Sequence, residues 1–86
     1  MTINTKVGRE AVWRHPVVIR IGYGMREPVR GPAEAYHYLS YRWPSGEYVH
    51  LELARQKCQA ATERGASSEE ARELFITAAM EAEVLA

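Results

Sequence analysis

The sequence predicts an α+β domain in which a short antiparallel β-hairpin is followed by three helices packed on it. Three observations carry this. The run PVVIRIG at residues 16–22 is dense in β-branched side chains and leads into Gly22-Tyr23-Gly24, so a strand meets a flexible turn. Gly31-Pro32-Ala33-Glu34 opens a helix and Trp43-Pro44 closes one. Gly65 and the pair Ser67 and Glu70 separate two further apolar-periodic segments.

In the first strand Val17, Ile19 and Ile21 fall on one side of the pleat, and Val18 and Arg20 on the other. MREPVR at residues 25–30 returns beside it, and Pro28, without an amide proton, leaves part of that edge unpaired. The first helix then runs from Pro32 to about Arg42. It places Ala35, Leu39 and Trp43 in one i, i+4 row with Tyr38 alongside, and Glu34 in the first turn faces the positive helix end. After Pro44-Ser45-Gly46 a second helix carries two apolar rows, Leu51, Ala54, Cys58 and Ala61 on one side and Val49, Leu53 and Ala60 on another. A helix apolar on two sides is expected at the centre, covered by neighbours on both. The third helix shows the row Ala71, Leu74, Phe75, Ala78, Ala82 and Leu85, whose alanines permit close approach of another helix.

Length bounds the rest. A chain of 86 residues holds one domain with a small core, and 47% apolar with 26% charged residues is an ordinary globular composition. Residues 1–11 carry neither period and are expected to form a mobile tail ahead of a single domain over residues 12–86. The lone cysteine rules out an internal disulfide framework. The amino terminus lacks the apolar stretch of an export signal, and no run approaches the ~20 apolar residues of a membrane span, so a cytoplasmic protein is expected.

The landmarks W-x-x-P-V (Trp13 to Val17), Glu34-Ala35, Trp43-Pro44, A-x-x-x-C (Ala54, Cys58) and A-R-x-x-F-x-x-A-A-x-E-A (Ala71 to Ala82) occur in a fixed order. Over residues 12–86 they resemble a small bacterial family of uncharacterised proteins, domain-of-unknown-function family 982. The resemblance implies a compact α+β domain and brings no catalytic residues with it.

Candidate chemistry is sparse. His50 and Cys58, eight residues apart on one helix, are separated by about 12 Å along the axis and about 80° around it, too far for a nucleophile and its base. Cys58 is therefore read as a small core residue. His15, His37 and His50 show no i, i+3 or i, i+4 spacing that would offer a metal two ligands on one helix. G-x-x-x-x-G-K, G-x-S-x-G, H-E-x-x-H and C-x-x-C are all absent. No catalytic residue, cofactor or metal is predicted. Trp43 with Tyr36, Tyr38, Tyr41 and Tyr48 forms an aromatic cluster that serves either as core or as a stacking surface, with at least one tyrosine left exposed.

The net charge is zero, but seven basic against three acidic side chains precede residue 45, and four against eight follow it. The favoured function is a small non-enzymatic interaction module that forms a homodimer, through the hairpin edge or the third helix. An accessory nucleic-acid binder using Arg20, Arg26 and Arg30 of the hairpin is the alternative. A small enzyme or ligand binder built on Cys58 and the aromatic cluster is the third.

Overall fold

The computed structural model describes residues 11–86; the expected tail thus lies outside the described residues apart from Ala11. Strands β1 (Val17–Ile19) and β2 (Glu27–Val29) pair antiparallel with Val17 opposite Val29 and Ile19 opposite Glu27. Helices α1 (Pro32–His37), α2 (Leu51–Glu63) and α3 (Ser68–Glu81) follow, and a π-helical turn over Tyr38–Arg42 extends α1. The α+β architecture is the one the periodicities predict.

The hairpin forms where anticipated. Val17 and Ile19 are buried against the helices while Arg20 is exposed, and Gly22, with φ of 61°, takes the left-handed conformation in the turn that Gly24 N–H closes on Ile21 C=O. Gly31 matters for space instead. Its backbone is extended, and a Cβ there would collide with the carbonyl of Ala11 as the N-terminal segment crosses the start of α1.

Two helix boundaries differ from expectation. The first helix does reach Arg42, but its last five residues widen into the π turn before Trp43, ahead of Pro44, becomes extended. The second helix starts at Leu51, because the segment after Pro44 closes on itself: Tyr48 donates its hydroxyl to the Pro44 and Ser45 carbonyls. His50 caps α2 without a side-chain bond. The carboxylate of Glu81, at the far end of α3, instead accepts the N–H groups of Val49 (2.6 Å) and His50 (2.9 Å). At the other end of α2, Gly65 is left-handed at φ 72°, and Ser67 Oγ accepts Glu70 N–H to cap α3. Only half of the capping box forms, since the Glu70 carboxylate pairs with Lys57 of α2.

The core centres on Phe75, fully buried, with Trp13 and Trp43 packed on either side at ring distances of 5.9 and 5.7 Å. Cys58, Ala54 and Ala61 of α2 meet Ala71, Ala78 and Ala79 of α3 in the same interior. These alanines allow the close helix approach foreseen for α3, but inside one chain.

The C-terminal residues carry the main departure. The third helix ends at Glu81, Glu83 adopts φ 60°, and Leu85 leaves the helical row to bridge Ile19. Arg20 N–H donates to Val84 C=O and Ala86 N–H to Val18 C=O. The free edge of β1 is thereby paired within the chain. Since Val18 turns its polar groups toward this segment, Pro28 opposite it turns away from β1, and the outer edge of β2 presents a residue that has no N–H. Arg30, next along, spends its N–H on the Glu34 carboxylate and its carbonyl on Trp13 N–H. The β1 edge is thus paired within the protomer, the β2 edge is blocked in part by Pro28 and the committed Arg30 backbone, and Ala78 and Ala79 of α3 are buried.

Candidate functional site

Beside the hairpin, β2 and the α1 face enclose an open cleft of about 430 Å³. One wall is the helical i, i+4 row Glu34, Tyr38 and Arg42, with His37 next to it; the other is β2 with Arg26, Glu27 and Arg30. The floor is a tight polar cluster. Arg42 donates from Nη1 and Nη2 to the Glu27 carboxylate at 2.9 and 2.8 Å, Tyr38 donates its hydroxyl to the same carboxylate at 2.7 Å, and the guanidinium lies 4.8 Å over the Tyr38 ring. The Arg42 bond first and the Tyr38 bond second hold the Glu27 carboxyl at about 2, well below its ordinary 4.5, so it stays ionised at neutral pH. Burial, joined by the neighbouring Glu27, pushes the Tyr38 phenol up.

The rim is more loosely held. Glu34 gives one oxygen to the Arg30 N–H and stands 4.0 Å from the Arg30 guanidinium with both side chains about half exposed. Among the described residues Arg26 makes no ion pair. Three guanidinium groups and an imidazole therefore face two carboxylates.

Arg26 and Arg30 line this cleft. Arg20 donates Nε–H to Gly24 C=O at the hairpin tip, where it borders a second hollow together with Arg26, Tyr23 and the C-terminal residues. Sequence reading missed Glu27, His37, Tyr38 and Arg42 as a group. The i, i+4 spacing of Glu34, Tyr38 and Arg42 was visible, but the 15-residue step from Glu27 to Arg42 is made only by folding.

The other candidates separate clearly. Cys58 is fully buried; burial pushes its thiol up to about 12, and its nearest polar partner is the Ala71 carbonyl at 4.0 Å. The aromatic cluster divides: Trp43 packs on Phe75, Tyr36 and Tyr38 are half-buried, Tyr48 braces its turn, and Tyr41 is 75% exposed. Among the described residues no three His, Cys, Asp or Glu side chains gather as a metal would require, and no helix is long and apolar enough to cross a membrane.

A second surface differs in character. The two apolar rows of α2 meet opposite fates. Ala54, Cys58 and Ala61 are buried, while Val49 is 81% and Leu53 43% exposed, with Ala60 half-buried on the same side as Leu53. Val49 and Leu53 thus keep much of their surface exposed although α1 and α3 both pack on α2.

No curated protein matches the chain, and no solved structure does. One family model does, over residues 15–86, including the Pro16-Val17 end of the first landmark, the Trp43-Pro44 stop and the Cys58 and Phe75 rows. The chain belongs to the family described as protein of unknown function (DUF982).

Proposed function

We propose that this chain is a small non-enzymatic interaction module that pairs with a second copy of itself through the outer row of α2. The observation that carries the reading is the pair of exposed apolar side chains Val49, just ahead of α2, and Leu53 on its first turn, with half-buried Ala60 further along, on the side away from the buried Ala54, Cys58 and Ala61. Apolar side chains aligned on one helix face gain about 25 cal/mol for each Å² taken out of water, which favours covering them. A two-fold axis crossing α2 sets the row against its own copy, the arrangement closed dimers most often use, and the small Ala60 lets the helices approach. The hairpin edges are less available for this contact, because Val84 and Ala86 pair with β1 and Pro28 and Arg30 block part of β2.

Light scattering at tens of micromolar tests the reading. The expected mass is near twice the 9.8 kDa of one chain. Leu53→Glu, which buries a charge in the contact, returns it to one chain while the circular dichroism stays unchanged. A wild-type mass near 9.8 kDa overturns the proposal.

A further inference from the structure

We propose that the cleft between β2 and the α1 face is a binding site for a small ligand carrying a phosphate group. It lies apart from the outer row of α2 and stands or falls independently of self-association.

The argument is one of unequal commitment among charges. Arg42 is consumed: it is held bidentate on Glu27, beneath the Tyr38 hydroxyl and over the Tyr38 ring. That cluster makes a rigid floor whose charges cancel. Arg30 keeps its guanidinium nearly unspent, since Glu34 approaches it only at 4.0 Å and directs its hydrogen-bonding oxygen to the backbone N–H. Arg26 makes no ion pair among the described residues, and the exposed imidazole of His37 opens on the same space. The groups left to a ligand are thus two forked donors and an imidazole, around a cleft of about 430 Å³, within the size range of small-molecule sites. Planar guanidinium forks match the paired oxygens of a phosphate, and its second negative charge rewards more than one cation.

Size and layout favour a small ligand over a nucleic-acid strand. Glu27 and Glu34 interrupt the cationic track inside the cleft, and Arg20, which borders Arg26 beyond it, has its Nε–H committed to Gly24 C=O. A repeated backbone of phosphates would meet both carboxylates, whereas a single phosphate group needs only part of the cleft that Arg26, Arg30 and His37 line. The π turn supports the same assignment: such turns recur at functional sites, and this one holds both Tyr38 and Arg42 of the floor.

The test is a titration of the ¹⁵N-labelled full chain with inorganic phosphate and with phenyl phosphate, in a chloride background of constant ionic strength. Saturable shifts confined to residues 26–42 are expected, weakened at least tenfold by Arg26→Ala and by Arg30→Ala, each with an unperturbed spectrum elsewhere. Equal affinity for the two ligands assigns the site to the phosphate group itself, and tighter phenyl phosphate assigns it to an organic phosphate; both support the proposal. Shifts that do not saturate, that chloride alone reproduces, that centre outside residues 26–42, or that survive both substitutions overturn it. If one variant fails to fold, the other and the shift map decide.

Discussion

The two sides of α2 are built from similar residues and end in opposite environments. On the inner side Ala54, Cys58 and Ala61 are fully buried against α3 and the Phe75 cluster; on the outer side Val49 and Leu53 stand in solvent. The difference lies in what each side meets. The inner row faces a large aromatic supplied by a distant segment and a run of small residues on α3, which let the helices close to core density. The outer row meets no such partner in its own chain. A second apolar row on a helix therefore marks surface available for contact as readily as it marks the centre of a fold, and here it marks the former.

The largest break in this contrast comes from emptying the inner side. Phe75→Ala removes the ring on which both Trp13 and Trp43 pack and should destabilise the fold by about 3–5 kcal/mol. The whole domain is held by roughly 4–13 kcal/mol for its size, so denaturant melts should show a protein near the limit of folding. Cys58→Ala leaves a smaller cavity in the same interior and should lower stability by about 1 kcal/mol. The native thiol should label slowly at neutral pH and rapidly in denaturant. Fast native labelling would show that the inner side opens.

Glu81 holds the start of α2, and the pH dependence of its contribution should be confined to acid. The His50 and Val49 N–H groups lower its carboxyl below the ordinary 4.5, so the unfolded chain binds the proton more readily. Its stabilisation is full above about pH 4.5 and is lost as pH falls through the lowered value. In Glu81→Gln the melting temperature should fall less steeply with acidification over that window; an identical slope would mean the carboxylate contributes nothing. The smallest effect on stability is expected on the outer side. Compared as single chains at low concentration, Leu53→Glu should change it by no more than about 0.5 kcal/mol, because the side chain is already 43% exposed in the protomer. A large loss would mean that the row is part of the core after all.

Much of the fold is legible because it is written in short-range signals. The β-branched run before Gly22, Pro32 at a helix start, Pro44 at a stop, left-handed Gly65 and the Ser67 cap each act over a few residues, and each does in the structure what local chemistry requires. The candidate cleft was only half legible. Arg26 and Arg30 could be singled out as basic hairpin residues, but the Glu27 floor beside them depends on Arg42 arriving from the π turn.

By itself, then, the sequence determined the fold class, the number and order of elements, the caps, and that Cys58 belongs to an apolar row. Tertiary structure alone decided which of the two rows of α2 is covered, which strand edges are closed, and where α2 begins. The physical reason is the same in each case. Periodicity states that a face is apolar or that an edge has unpaired amides, but the partner that satisfies it is a residue far along the chain: Glu81 for the start of α2, Val84 and Ala86 for β1, Phe75 for the inner row. Which distant segment arrives, and which face it leaves bare, is settled by the packing of the whole chain.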